Sequence, residues 1–80
     1  MNEMKMDAVE IRRIRIAKTL DMVKRMGEVD YEKAMNVISY NLGVSAAKTR
    51  EYLGILKGAG QVKIEQGTIF PVKARGGKSE

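Results

Sequence analysis

Residues 41–62 read NLGVSAAKTREYLGILKGAGQV, and no other segment of the chain is as informative about its fold. Gly43 gives the backbone freedom that a sharp turn needs, and Ser45 is a favourable N-cap for a helix that follows. Gly58 and Gly60 then interrupt the helical pattern before a segment that alternates in polarity. The stretch therefore predicts the end of one helix, a tight turn, a second helix and a strand.

The composition limits the class of protein. Eighty residues form one small domain with a thin core and little room for an enclosed active site. The sequence contains no Cys and no His, so disulfides, thiolate ligands and the commonest metal ligand and general base are missing. We therefore expect neither an enzyme nor a bound metal or other cofactor, and no group of residues indicates a small-molecule ligand.

The N-terminal residues give no apolar run long enough for a signal peptide or a membrane span. A cytoplasmic protein without a membrane partner is expected. Fifteen Lys and Arg residues against ten Asp and Glu give a formal net charge of +5. This surplus favours an anionic partner, although many small proteins carry such a charge for solubility alone. The placement of the charges has to decide between these two interpretations.

The first helix is expected to run from about Asp7 to Met26 and to end at Gly27. One of its faces is expected to pack on the core; it carries Val9, Ile16, Ala17, Leu20 and Val23. A second apolar set lies on the other side of the helix among several cations; it comprises Met4, Ile11, Ile14, Met22 and Met26. A homodimer through this helix would cover the second set, whereas exposed apolar residues scattered along a helix with a frayed start would need no partner.

The second helix is expected from Tyr31 to about Tyr40, after a connector at residues 28–30 that adds one short strand and ends with the N-cap Asp30. Its buried stripe comprises Ala34, Val37, Ile38 and Leu42. Met35 and Tyr40 lie off this stripe and are expected to cover the ends of neighbouring helices.

The third helix, from Ala46 to about Lys57, separates into two faces. The inward face is expected to carry Thr49, Tyr52, Leu53 and Leu56. The outward face is expected to carry Ala47, Arg50, Glu51 and Gly54. Positions near the borders of the outward face are Ala46, Lys48 and Lys57.

This outward face has the chemistry for contact with double-stranded DNA. An α-helix enters the major groove where its outer face is slim and carries a few polar groups that reach base edges. The small residues Ala47 and Gly54 permit a close approach, and Arg50 can donate two hydrogen bonds to guanine O6 and N7. Glu51 can accept a hydrogen bond from cytosine N4, or it can pair with a neighbouring cation instead. The residues best placed to contact phosphates are Ser45, Lys48 and Lys57.

After the third helix, residues 62–65 and 68–72 alternate in polarity as two half-buried strands around a turn at residues 66–67. Pro71 cannot donate a hydrogen bond to a neighbouring strand, so its strand is expected to be an edge or to end there. Lys63 is the one basic residue of this hairpin and a candidate for phosphate contact.

Residues 73–80 show no apolar periodicity and are expected to form a flexible basic tail. Within it, Lys73 and Arg75 are further candidates for contact with DNA. The tail is equally compatible with a terminus that only contributes solubility.

The pattern as a whole resembles winged helix-turn-helix domains. The resemblance covers residues 16–72, and it is carried by Leu42, Gly43, Val44, Ser45, Leu53, Leu56, Gly60 and Val62. It implies a mainly α fold with a small β-hairpin, in which three helices and a short wing of two or three strands form a single domain over residues 1–72. It also implies that the helix after Ser45 is the recognition helix. In size and in Met and Ile content, the chain is similar to small regulators of archaea and of their viruses and plasmids.

The leading expectation is a DNA-binding protein, a transcriptional regulator that inserts the helix after Ser45 into the major groove and forms a homodimer. Two alternatives stay open. A winged-helix module can bind another protein through an apolar surface, and the mixed face of the first helix would suit that function. An RNA-binding component of a ribonucleoprotein is the other alternative, although the chain lacks a long basic extension and has few aromatic residues for stacking on bases.

Overall fold

The computed structural model describes residues 7–72. The elements in chain order are α1 (Ala8–Met26), β1 (Val29–Asp30), α2 (Tyr31–Leu42), α3 (Ala46–Gly58), β2 (Val62–Glu65) and β3 (Thr68–Pro71). The fold is mainly helical with a small three-stranded antiparallel sheet, as the sequence predicts. This order of elements is compatible with a winged-helix topology. Met4 and residues 73–80 lie outside the described part of the chain.

Each of the three helices begins at a side chain that caps it. Asp7, Asp30 and Ser45 each accept, through a side-chain oxygen, a hydrogen bond from the backbone N–H three residues further on, at 2.9–3.1 Å. Such a cap satisfies one of the free N–H groups at the helix start and contributes about 1 kcal/mol to stability. The helix starts therefore lie within one residue of those expected from the sequence.

The turn between α2 and α3 is built on Gly43. Its φ of 70° and ψ of 35° place it in the left-handed region, which costs a residue with a Cβ atom considerably more than glycine. The backbone N–H groups of Gly43 and Val44 both donate to the carbonyl of Ser39, at 2.9 and 3.2 Å. This geometry ends α2 and turns the chain directly into the cap of α3.

The core lies where the three helices meet the sheet. Its buried residues come from α1, α2, α3, β2 and β3; they are Val23, Ala34, Ile38, Leu53, Leu56, Val62 and Ile69. Leu20 and Ile16, which the sequence also predicts to face inward, are half-buried against this cluster.

A polar contact joins α2 to α3 inside this packing. The hydroxyls of Ser39 and Thr49 are 2.7 Å apart, and Thr49 Oγ1 also donates to the carbonyl of Ser45 at 3.2 Å. Thr49 is fully buried. Because a buried hydroxyl without a partner is unfavourable, this pair favours one orientation of α3 on α2 over others.

The sheet has the strand order β1-β3-β2. The prediction that the strand containing Pro71 is an edge is therefore wrong, and the alternative that this strand ends at Pro71 is confirmed. Proline is tolerated there because β1 pairs only with Thr68 and Ile69, so no strand faces Pro71 on that side. The turn of the hairpin has positive φ angles at Gln66 and Gly67, as tight hairpin turns require.

The hairpin is also fastened to the helices. The backbone N–H of Tyr31, the first residue of α2, donates to the carbonyl of Gly67 at 2.8 Å. Asp30 is the last residue of β1, paired with Thr68, and at the same time the N-cap of α2. The strand therefore passes into the helix without a connecting residue.

The orientation expected for α1 is partly wrong. Val9 is 64% exposed and Ala17 is also exposed, whereas Met22 and Met26, expected on the outer side, pack against the core. Thr19 is fully buried, and its hydroxyl is satisfied there because it donates to the carbonyl of Arg15 at 2.8 Å. Polarity alone therefore misplaces the buried face, since α1 packs against α2, α3 and β3 together and buries a threonine that satisfies its own hydrogen bond.

Two expectations for α2 are also corrected. Met35 is buried at 4% exposure, because α2 packs against the sheet as well as against α3. Tyr40 is 87% exposed and covers no neighbouring helix, since it lies on the side of α2 opposite to Ala34 and Ile38. Within residues 7–72, no helix combines the length and the apolar character needed to cross a membrane.

Candidate nucleic-acid interface

The exposed face of α3 is the site predicted for DNA. Its inward residues Thr49, Tyr52, Leu53 and Leu56 are all buried. Of its four outward positions, Ala47, Arg50 and Gly54 are exposed and Glu51 is half-buried. Ala46, Lys48 and Lys57, at the borders, are exposed as well. The division of this helix into two faces is therefore confirmed.

The middle of this face is slim. A Cβ atom placed on Gly54 would meet nothing within 4 Å, so no neighbouring residue requires a glycine at this position. Ala47, two turns earlier on the same side, adds only a methyl group. The backbone of α3 is consequently accessible to a partner along this line.

Two cations beside this slim surface are available for contact. Arg50 and Lys57 form no ion pair with any residue in the 7–72 range. Arg50 is exposed next to Ala47 and Gly54, and Lys57 lies in the last turn of α3. A planar guanidinium with free donors suits a guanine edge, and an ammonium suits phosphates.

Glu51 is the acidic member of the face, and it is held by two cations. Its carboxylate is 2.8 Å from Nη2 of Arg12 and 3.3 Å from Nζ of Lys48. Pairing with Lys48 is one of the alternatives that the sequence leaves open, and the pair with Arg12 of α1 was not anticipated. An approach to cytosine would require Glu51 to leave both partners, which are half-exposed and therefore weakly bound, at about 0–1 kcal/mol each.

The start of α3 can still meet an anion. The Ser45 hydroxyl accepts the N–H of Lys48, so the capping function of Ser45 is confirmed. The N–H groups of Ala46 and Ala47 belong to the first turn, where a helix provides donors and a partial positive charge. Phosphate contact by Ser45 stays a prediction, and these neighbouring amides are suitable donors for it.

The hairpin offers less charge than its lysine suggests. Nζ of Lys63 lies 3.7 Å from the Glu65 carboxylate on the same strand. Glu65 therefore offsets the positive charge of Lys63. The pair is exposed and weak, so it does not hold the Lys63 side chain in one position. The remaining candidates for DNA contact, Lys73 and Arg75, lie outside the described residues.

Sequence reasoning missed the contribution of α1 to this site. Arg12 reaches the exposed side of α3 through Glu51, and Arg15 lines the same side of α1 one turn later. The available signal was the basic run IRRIRIAK at residues 11–18, in which positions three apart share one face of a helix. The run does not show which element lies beside that basic face, because this depends on the tertiary fold.

The surface proposed for a dimer is smaller than the sequence indicates. Ile11 and Ile14 are half-buried and line a groove between α1 and α2, while Met22 and Met26 contribute to the core. A neighbouring part of that groove, of about 450 Å³, contains Met22, Met26 and Val37 between charged side chains. The fifth candidate, Met4, is not among residues 7–72.

No family model, curated protein or solved structure matches the chain.

Proposed function

We propose that the protein is a transcriptional regulator of the winged helix-turn-helix type, which binds double-stranded DNA by placing α3 in the major groove. The observation that carries the proposal is the slim exposed line of Ala47 and Gly54 beside the exposed guanidinium of Arg50. In this complex Arg50 contacts guanine, and Lys57, at the C-terminal end of α3, contacts the DNA phosphate backbone. The cytoplasmic location expected from the sequence is part of the same proposal.

The packing of α3 supports this function. A recognition helix has to hold its side chains in one orientation. Phosphate contacts fix the register of the helix on the DNA, and the base contacts depend on that register. The Gly43 turn, the Ser45 cap and the hydroxyl pair of Ser39 and Thr49 fix the start of α3 relative to α2. The exposed face is therefore preorganised rather than formed on binding.

The test is a binding titration of the full chain with a random duplex, single-stranded DNA and a structured RNA at two salt concentrations. A duplex enriched from a random library then serves as the cognate site. Arg50→Ala should weaken binding to this site by about 1–3 kcal/mol, and Lys57→Ala should weaken binding to all duplexes alike. Lys24→Ala, which removes a lysine from the last turn of α1, is the control and should change little. Unchanged duplex affinity in both α3 variants at low salt would refute the assignment of α3, and preference for RNA would favour the ribonucleoprotein alternative.

A second candidate function is supported by the groove between α1 and α2. Its apolar floor of Met22, Met26 and Val37 could accept a protein partner, with Lys18 and Arg25 at its rim. Another copy of the chain is one such partner, and it would place two copies of α3 for half-sites about one DNA turn apart. The cations at the rim oppose this arrangement unless acidic residues of the partner copy meet them.

A further inference from the structure

A second concave surface lies between the first turns of α1 and the first turns of α3. This cleft, of about 330 Å³, is lined by Ala8, Ile11, Arg12, Arg15, Lys48 and Tyr52. It is separate from the exposed line of Ala47 and Gly54, and it is not needed for the contacts of Arg50. We call it the α1–α3 cleft.

Three cations from two helices converge on the α1–α3 cleft. Arg12 and Lys48 share the single carboxylate of Glu51, so the three cations and this carboxylate keep a positive surplus. Arg15 is half-buried and forms no ion pair with residues of the described range. Like charges held together in a concavity attract an anion, and guanidinium groups match the geometry of phosphate oxygens.

A buried polar side chain also lines the α1–α3 cleft. Tyr52 is only 2% exposed, yet it lines the cleft. Within residues 7–72 the Tyr52 hydroxyl has no hydrogen-bond partner. No unpartnered side-chain polar atom in that range is fully buried, so this hydroxyl retains some solvent exposure. Since Tyr52 lines the α1–α3 cleft, the hydroxyl is available to a group bound there. A phenol hydroxyl of a residue that lines a cationic cleft is a neutral donor for an anionic oxygen.

We propose that the α1–α3 cleft binds one phosphodiester of the DNA backbone next to the segment that α3 reads. This inference rests on the proposed function and extends the DNA contact from α3 to α1. The position fits because Glu51, on the outward half of α3, holds Arg12 at 2.8 Å and so places the cleft along the edge of the DNA-facing surface. A phosphate bound there replaces the half-exposed Glu51 carboxylate as the partner of Arg12 and Lys48. It also contacts Arg15 and the Tyr52 hydroxyl.

The principal experiment compares Arg15→Gln with Lys18→Gln in the full chain. Both variants remove one positive charge from the same helix. Arg15 and Lys18 both line the groove between α1 and α2, but only Arg15 also lines the α1–α3 cleft. The dissociation constant for one random duplex is measured from 50 to 200 mM salt. The slope of log affinity against log salt is negative, and the loss of one phosphate contact should reduce its magnitude by about 0.9 for Arg15→Gln. Lys18→Gln should reduce the magnitude by less than half as much. Equal slopes in the two variants would overturn the inference.

Two further variants test the chemistry of the α1–α3 cleft. Tyr52→Phe keeps the buried ring and removes only the hydroxyl, so it should weaken duplex binding while thermal unfolding shows the fold intact. Glu51→Gln releases Arg12 and Lys48 and should strengthen binding to the random duplex. Weaker binding by Glu51→Gln, or no change in Tyr52→Phe, contradicts phosphate binding in the cleft.

A titration with inorganic phosphate distinguishes a cleft that binds a free anion from one that binds a phosphate of the DNA backbone. The amide signals of residues 12–15 and 48 are followed by NMR while phosphate is added to the wild type. Saturation by phosphate together with a normal salt slope in Arg15→Gln would assign the cleft to a free anion and overturn the inference. If Arg50→Ala impairs duplex binding and Arg15→Gln does not, only this inference fails; if the wild type binds no duplex, the proposed function fails with it.

Discussion

Replacement of Gly54 by alanine should separate the stability of α3 from its function. Gly54 lies inside α3, where glycine disfavours the helix relative to alanine by about 0.8–1.0 kcal/mol. The added methyl group would meet no atom within 4 Å, so no steric term offsets this gain. Gly54→Ala should therefore raise the free energy of unfolding by nearly 1 kcal/mol.

The same methyl group would project from the slim face that we assign to the major groove. A close-packed contact that receives one extra methyl group loses about 1–3 kcal/mol, so binding to the cognate duplex should weaken by that amount. A more stable protein that binds DNA less well is the expected result. One substitution is thus expected to raise the stability of the protein through helix propensity and to lower its DNA affinity by preventing the close approach.

The assay has two parts, and Gly58→Ala is the matched control. Thermal unfolding followed by circular dichroism should show a rise in Tm of roughly 4–8 °C for Gly54→Ala, given the size of the domain. Gly58 has equally open surroundings but is the last residue of α3, so its replacement should stabilise less and should leave DNA binding almost unchanged. A Gly54→Ala protein that is more stable and binds the duplex as tightly as the wild type would refute the close approach.

Substitutions at three further places test the packing and the assembly. Thr49→Val should lower the free energy of unfolding in urea by about 1–3 kcal/mol because the Ser39 hydroxyl loses its partner, whereas Thr49→Ser should retain most of the stability. Asp30→Ala should cost about 1 kcal/mol through loss of the α2 cap, and Asp30→Asn, which can still cap, should cost much less. If the groove side of α1 forms a homodimer, Ile11→Glu combined with Ile14→Glu should abolish the association seen by sedimentation equilibrium. A wild type that is monomeric at micromolar concentration contradicts the dimer.

The parts of the fold that follow from local chemistry were predictable. The left-handed Gly43, the cap at Ser45 and the apolar spacing of α3 are all encoded within a few residues, so the turn and the two faces of α3 follow from the sequence. The hairpin follows in the same way, because a turn at residues 66–67 with alternating flanks sets its own register.

The parts that depend on distant neighbours were not predictable. The burial of Thr19 and Met35 reflects which elements surround α1 and α2, and polarity patterns do not contain that information. The candidate site shows the same limit. The exposure of Arg50 follows from the apolar pattern of α3. The ion pair of Arg12 with Glu51, by contrast, joins two helices that only the folded chain brings together.

The direct passage of β1 into α2 restricts the changes in chain length that this protein can tolerate. Asp30 serves the strand through its pairing with Thr68 and the helix through its cap, and no spare residue separates the two functions. An insertion of a single residue at this junction has to shift either the strand or the helix, and a one-residue shift of β1 turns its side chains to the opposite face of the sheet. Insertions and deletions between Val29 and Tyr31 should therefore be excluded from functional variants, even where substitutions at the same positions are accepted.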